Sequence, residues 1–422
     1  MMDTTVGPAE SDDYSQVHTL IEKSFGNSRL EHTMVEVTTA EDPNFSKGDL
    51  RVAKIGSRVV SMMLIIRRPL RIGSVIVNGT LVGPVATSPE DERRGYCSAV
   101  MRDGVQYMRD QGIDLTILWG HPWLYPHYGY SPAMMSTEVV IKSGIDTQPR
   151  EEKARLVLRP LRDTDLQRVT DIYHGNTATS SCAETRRPTT TEWMSRGLAT
   201  IKVLADSSTD EAAGYIVLGT DFGRPAALEV GVRDDEACEA VLDALLETAT
   251  KNRLMELPCL ISPSHPFAHY AFYRGGEVRI SSGRGAGMAM VLNQETLLAK
   301  MEREFERRLS LTDFHNVDTV LQIRTSGAAT VTTTLVISRG RVSTNTVPST
   351  AGTTLRDATG VENSLKLPLV SLNPLVTGYQ GIRDLAKQPA TEIRGGEHAQ
   401  RLINVLFPED HPRGGHLPLV WE

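Results

Sequence analysis

Val85-Ala-Thr-Ser-Pro-Glu-Asp-Glu-Arg-Arg-Gly-Tyr-Cys-Ser98 decides how this chain is read. An apolar run ends at its start. A basic turn with one glycine follows, and a helix opens in which Met101, Val105 and Met108 recur at i, i+4 and i+7. A helix start leaves backbone N–H groups unpaired and aimed at one point, and the helix dipole adds positive potential there. Gly95 lets the backbone approach a bulky anion, while Arg93 and Arg94 supply charge for phosphate. The combination suits a pyrophosphate. On spacing alone, a solvated basic helix start explains it equally well.

Upstream, a helix is expected over Asp12–Ser24, with Leu20, Ile21 and Phe25 as its apolar stripe and Gly26 as its stop. Leu50–Ile55 and Arg58–Ile66 flank Gly56-Ser57, and Ile72–Val77 and Leu81–Thr87 flank Asn78-Gly79, so two hairpins are expected. Downstream, Gly112 stops the helix and Ile113, Leu115 and Ile117 alternate as a strand. The order is helix, antiparallel strands, basic loop, helix, strand.

A second unit repeats that order. A helix opens in Leu158–Asp165 and runs to Tyr173; strands follow near 201–205, 214–218 and 227–232, then a helix over 236–250 and a strand over 255–261. Leu81-Val-Gly-Pro-Val85 and His121-Pro122 answer Leu228-Glu-Val-Gly-Val232 and His265-Pro266, each His-Pro pair being followed by aromatics. The matching loop, Arg233-Asp-Asp-Glu-Ala237, has three carboxylates and no glycine, and would repel a pyrophosphate. A third unit begins near Leu292. Leu297, Leu298, Met301, Phe305 and Leu309 mark one amphipathic helix, strands are expected over 317–323 and 330–337, a strand pair with a long loop over 343–360, and helices over Pro374–Leu385 and Glu397–Leu406. The tail His416-Leu-Pro-Leu-Val-Trp-Glu422 is apolar enough to dock rather than hang free.

A chain of 422 residues is too long for one core, so two or three domains are expected. A net charge of −7 argues against a nucleic-acid partner. The longest apolar run, near Val59–Ile66, is too short for a membrane span, and the acidic start Met1–Glu10 is no secretion signal. Four cysteines without a CxxC or Cys/His cluster argue against a metal and fit a reducing, cytoplasmic compartment.

The segments Thr87–Met101 and Leu124-Tyr-Pro-His-Tyr-Gly-Tyr-Ser-Pro-Ala133 resemble the GNAT acetyltransferases, and more closely the enhanced intracellular survival (Eis) family of bacterial N-acetyltransferases. Leu367-Pro-Leu-Val-Ser-Leu-Asn-Pro-Leu-Val-Thr-Gly-Tyr-Gln380 resembles that family's third domain. The resemblance implies an α+β/α/β chain of two tandem GNAT domains, a catalytic one over 1–152 and a degenerate one over 153–291. A sterol-carrier-like α/β domain over 292–422 would carry the C-terminus. It further implies acetyl-CoA as co-substrate, with Val85, Ala86 and Thr87 on the pantetheine arm through their backbone. Arg93, Arg94, Gly95, Tyr96, Cys97 and Ser98 would hold the pyrophosphate, and Gly120 with His121 the thioester end. Tyr125 would be the general acid, and the terminal carboxylate of Glu422 the general base. The acceptor would be a primary amine of a polycationic small molecule such as an aminoglycoside, or of a lysine side chain. The assembly would be a homo-oligomer, often a hexamer.

These roles are chemically sensible. The amine must lose a proton, the oxyanion needs stabilising and the departing thiolate needs a proton. A tyrosine of pKa about 10 is matched to a thiol of about 8.5, whereas a terminal carboxylate of about 3.5 needs a water relay or burial to act as base. His121 is a reserve base, and also reads as a residue packing beside Pro122. Tyr125 also reads as aromatic packing among Trp123, Tyr128 and Tyr130, and Cys97 as a nucleophile or as a small residue packing near the cofactor. Two positions depart from the family pattern: Glu92 replaces a basic residue and Cys97 a smaller one. If Glu92 abolished cofactor binding, the chain would be a non-catalytic acyl-CoA or apolar-ligand binding protein.

Overall fold

The computed structural model describes residues 4–26, 28–143, 155–193, 198–221, 223–281, 286–327, 329–348 and 363–412. The first unit runs β1 (Thr4–Pro8), α1 (Tyr14–Phe25), α2 (Arg29–Glu41), β2 (Leu50–Ile55), β3 (Arg58–Arg67), β4 (Leu70–Ile72), β5 (Val75–Val77), β6 (Gly79–Thr87), α3 (Tyr96–Asp110), β7 (Leu115–Gly120) and β8 (Ser131–Met134), then β9 (Ser136–Lys142). The second runs β10 (Leu156–Pro160), α4 (Leu166–Asn176), α5 (Thr190–Trp193), β11 (Thr200–Asp206), β12 (Ala212–Asp221), β13 (Arg224–Val232), α6 (Asp235–Lys251), β14 (Glu256–Cys259), α7 (Pro266–Tyr273), β15 (Glu277–Ser281) and β16 (Ala286–Val291). The third comprises α8 (Gln294–Lys300), α9 (Glu302–Ser310), β17 (Thr319–Ser326), β18 (Thr330–Ser338), β19 (Arg341–Pro348), β20 (Asn363–Pro368), α10 (Leu369–Thr377), α11 (Ile382–Leu385), β21 (Glu392–Arg394) and α12 (Gly396–Leu406).

Two mixed sheets carry the same internal order. One reads β1-β2-β3-β6-β7-β16-β8 and the other β10-β11-β12-β13-β14-β9-β15. The chain segments 1–152 and 153–291 therefore lend each other a strand. β9 leaves the first unit and pairs antiparallel with β14 and β15; β16 leaves the second and pairs antiparallel with β7 and β8. A third sheet reads β19-β18-β17-β20-β21.

Strand β3 is buried on both faces, as a central strand between two helix layers must be. Val60, Met63 and Ile65 join Val100, Met101, Val105 and Met108 of α3; Met62, Leu64 and Ile66 join Val17, Leu20 and Ile21 of α1 on the other side. That second core continues into the third unit through Ala289, Leu297, Phe305 and Leu372. Asp114, fully buried before β7, fastens the same joint: it accepts from Asn78 N (2.7 Å) and from Lys300 Nζ (2.5 Å) of α8.

Several sequence expectations are redrawn. Ile72–Val77 is not one strand of a hairpin at Asn78-Gly79. The turn falls at Gly73-Ser74, between β4 and β5, and β6 begins at Gly79. The stripe from Leu297 to Leu309 is buried as expected but belongs to two helices that meet at Met301. Pro374 lies inside α10 rather than at a helix start. Leu158–Asp165 begins as strand β10, and helix α4 starts only at Leu166. Helix α2 was not expected at all. The long loop of 349–362 and the tail from 413 to 422 lie outside the described residues.

Candidate active site

Strands β6 and β7 pair in parallel over three residues only, Gly79↔Leu115, Thr80↔Thr116 and Leu81↔Ile117, and then part. β6 continues to Thr87 with β3 along its other edge, Val85 opposite Met63, Ala86 opposite Met62 and Thr87 opposite Ser61. Beyond Leu81 no strand among the described residues pairs with that edge of β6, and Gly83, Val85 and Thr87 are half-buried. Backbone polar groups on such an edge require partners; Ser24 Oγ of α1 donates to Thr87 O at 3.2 Å.

The basic loop follows β6. Asp91 is buried and anchors it, receiving Arg58 through Nη1 at 2.6 Å and Nη2 at 3.2 Å, and Arg94 Nη1 at 3.2 Å. Arg93 holds φ +60°, a left-handed conformation that costs a non-glycine residue of order 1 kcal/mol. Gly95, at φ +89°, is the N-cap of α3 and brings no side chain to its exposed N–H groups. An added Cβ there would meet nothing within 4 Å, so the space above the helix start is open. Glu92, Arg93 and Arg94 are all exposed, and Tyr96, Cys97 and Ser98 half-buried. Arg58 was not singled out from sequence. Its signal was weak, a basic residue straight after the Gly56-Ser57 turn, yet it brings a further cation to the loop that carries Glu92.

Tyr125 opens a 3-10 turn, Tyr125–Tyr128, just beyond β7. Its ring lies on Gly120: a Cβ at that position would stand 2.3 Å from Tyr125 Cε2. Glycine is needed there for close approach. Tyr130 meets the ring edge-on at 6.1 Å. Burial pushes the Tyr125 hydroxyl up to about 12, with Cys97 and Tyr128 adding smaller contributions. Tyr128 Oη and Ser98 Oγ lie 2.9 Å apart, tying the turn to the first turn of α3. The Cys97 thiol is pushed up by burial, against the opposing pull of Thr87 and Tyr128, which is the reverse of an activated nucleophile. His121 is exposed and stacks on Trp123 at 4.7 Å. Val85, Ala86, Thr87, Arg93, Arg94, Gly95, Tyr96, Cys97, Ser98, Gly120, His121 and Tyr125 thus all fall on β6, β7, α3 and the loops at their ends. Glu422 lies outside the described residues. The last described residues sit where the two sheets adjoin: Pro412 O accepts from Met135 N (2.9 Å) and His411 O from Ser262 Oγ (3.3 Å).

The matching place in the second unit is built differently. β13 and β14 also pair briefly and part, at Ala227↔Cys259. Here Asn176 of α4 binds the end of the freed edge, its Nδ2 donating to Val232 O and its Oδ1 accepting from Val232 N, both at 2.8 Å, while Leu228, Val230, Leu260 and His265 line a cavity beside it. Asp234 caps α6, accepting from Ala237 N at 2.9 Å. An amide and a carboxylate of the chain stand here, where the first unit has Ser24 Oγ on Thr87 O and an uncapped helix start.

Residues 5–133 match the family model of the acetyltransferase (GNAT) domain. The first unit is a GNAT acetyltransferase domain. The chain is accordingly an acyltransferase. It is similar along its whole length to solved structures at low identity, which shows a shared fold. These include a GCN5-related N-acetyltransferase from Kribbella flavida (16% identity, TM-score 0.71, 97% of each chain). Another is a GCN5-related N-acetyltransferase from Anabaena variabilis (15%, TM-score 0.72, 97% of this chain and 98% of that one). A third is Eis1 from Mycobacterium abscessus (13%, TM-score 0.65, 98% and 100%). No curated protein matches the chain. Among the described residues no helix is long and apolar enough to cross a membrane, and no His/Cys/Asp/Glu group is placed to hold a metal.

The packing of Tyr125 on Gly120 is directly testable. Gly120→Ala should displace the ring and lower kcat at least tenfold, because a shift of about 1 Å in a reacting group costs on the order of a hundredfold. Steady-state kinetics on a variant with wild-type thermal stability provides the check; unaltered turnover would show that the ring's seat is immaterial.

Proposed function

We propose that this GNAT acyltransferase moves an acetyl group from acetyl-CoA to a primary amine of a polycationic, aminoglycoside-like molecule or of a lysine side chain. One observation carries the reading: β6, which β7 leaves after Leu81, leads into the uncapped, glycine-started α3, and Tyr125 is seated on Gly120 at the end of β7. The fit to an acyl-CoA is good on this structure, since Gly95 leaves open space above the N–H groups and Arg93 has no ion-pair partner among the described residues. Bound there, acetyl-CoA supplies an activated thioester. The backbone of Val85, Ala86 and Thr87 holds an extended arm as a further strand would. Arg93, Arg94 and the N–H groups from Gly95 to Ser98 hold the diphosphate, and Gly120 with His121 borders the reacting end.

Tyr125 is the proton donor to the departing sulfur in this account. Burial keeps it protonated across the working range but also makes it a weaker acid than the ordinary tyrosine considered from sequence. It therefore acts first as a hydrogen-bond donor, and full transfer to a thiolate of pKa about 8.5 is uphill. The base is the terminal carboxylate of Glu422, with His121 in reserve. From Pro412, residues 413–422 span at most about 33–36 Å when extended. The second unit is read as a degenerate GNAT domain forming one wall of the acceptor site, its own helix start capped by Asp234 and flanked by carboxylates. The third is read as sterol-carrier-like, in keeping with helices laid on one mixed sheet. A cytoplasmic setting accords with four free thiols. A homo-oligomer, by resemblance a hexamer, accords with the exposed Met255, Phe272, Tyr273 and Ile280 of the second unit.

Tyr125→Phe should lower kcat about a hundredfold with little change in acetyl-CoA affinity, as loss of a general acid typically does. In the wild type no falling alkaline limb should appear below about pH 11, because a hydroxyl raised to about 12 stays protonated there. Release of CoA thiol across an amine panel measures both; full turnover by the phenylalanine variant removes Tyr125 from the chemistry. Extending the C-terminus by a tag, or deleting Trp421 and Glu422, should abolish turnover while leaving the thermal shift induced by acetyl-CoA intact. An active tagged enzyme would exclude the terminal carboxylate as base.

A further inference from the structure

The third unit reaches the Tyr125 turn through one side chain. Helix α10 lies against β8 and β16, and its Asn373 is 1% exposed with its whole amide spent on the other two units. Oδ1 accepts from Val291 N of β16 at 2.9 Å; Nδ2 donates to Gly129 O at 3.1 Å and to Ser131 Oγ at 3.0 Å. Gly129 directly follows the Tyr125–Tyr128 turn, and Ser131 begins β8. The neighbouring proline completes the clasp. Pro374 lacks the N–H that would bond the carbonyl four residues back in the helix. That carbonyl is Val370 O, and it accepts from Ser131 Oγ at 2.8 Å. The Asn-Pro pair thus breaks one helical bond and spends it, with the amide, on the segment carrying the tyrosine.

The turn is then held on three sides. Gly120 seats the Tyr125 ring, Ser98 holds the Tyr128 hydroxyl towards the cofactor helix, and Asn373 holds the Gly129 carbonyl from behind. A four-residue 3-10 turn has little hydrogen bonding of its own, so its placement depends on these outer contacts. Removing a buried amide that makes three bonds leaves the Val291 N–H and the Gly129 carbonyl unpaired, and the segment shifts to find new partners. We propose that Asn373 is a positioning residue for acyl transfer: it fixes the height of the Tyr125 turn against β16 and so couples the third unit to the chemistry of the first. This rests on Tyr125 acting in the reaction.

A double-mutant cycle decides it. Asn373→Ala alone should lower kcat ten- to a hundredfold, with KM for acetyl-CoA within about threefold of wild type. In a Tyr125→Phe background the same change should cost less than twofold more, because both substitutions remove one function. Losses that multiply, unchanged kcat in the single variant, or a rise in KM alone would each overturn the proposal. A fully active Tyr125→Phe would instead remove the reading on which it stands, and the two failures are separate measurements. If alanine at this buried site impairs folding, Asn373→Asp decides in its place. It keeps the volume and the acceptor for Val291 N but sets a carboxylate against the Gly129 carbonyl, and the same loss confined to kcat is expected; wild-type kcat in a folded Asp variant refutes the role.

Discussion

Two parallel strands that stop pairing create a problem of unsatisfied backbone. After Leu81 and Ile117, β6 and β7 diverge, and β6 runs on to Thr87 with one edge uncovered by a strand. Peptide groups there must find water, a ligand or a side chain. The chain shows two solutions to the same geometry. In the second unit the amide of Asn176 takes up the end of the edge at Val232, and the carboxylate of Asp234 caps the helix start. In the first, Ser24 Oγ donates to Thr87 O on the edge at 3.2 Å, glycine stands where a cap would sit, and Arg58, Arg93 and Arg94 lie about the helix start. The contrast within one molecule sets an uncapped, arginine-flanked helix start in the first unit against a capped one in the second, where the parting strands line a cavity.

The site around the uncapped helix start is not the property of one unit. The strand beside β7 is β16, which arrives from the far end of the second unit, and β9 makes the reverse crossing. The exchange places the outgoing strand of each half inside the sheet of the other, so neither sheet is complete without its partner. The third unit then packs on β8 and β16, and Asp114 and Asn373 are buried polar fasteners between its helices and the first unit. A buried polar contact is costly to break and specific in geometry, which suits joints that fix one unit against another.

Much of the first unit was legible in the residues. The β2–β3 hairpin, the basic loop, α3 with its stop at Gly112, and the repeat of order in the second unit all follow from periodicity and turn chemistry, which are local. What was not legible is mostly non-local. β16 sits far from β7 along the chain, and nothing in its own pattern says which sheet it will enter. Arg58 and Asp91 pair across 33 residues, and neither is unusual alone. Asn176 lies beyond the helix end expected at Tyr173, and its amide bonds Val232, 56 residues away. Local signals also misled where two were close together: Asn78-Gly79 has the better turn composition, but the hairpin turns at Gly73-Ser74, and the backbone N–H of Asn78 goes instead to the buried carboxylate of Asp114. Pro374 read as a helix start because prolines are common there; inside α10 its missing N–H frees a carbonyl for Ser131.

The measurement that bears most directly on this account is the stoichiometry of acetyl-CoA binding by isothermal titration calorimetry on the full chain. One equivalent per chain is expected, bound by the first unit and by nothing in the second. Two equivalents, or no binding at all, would contradict it.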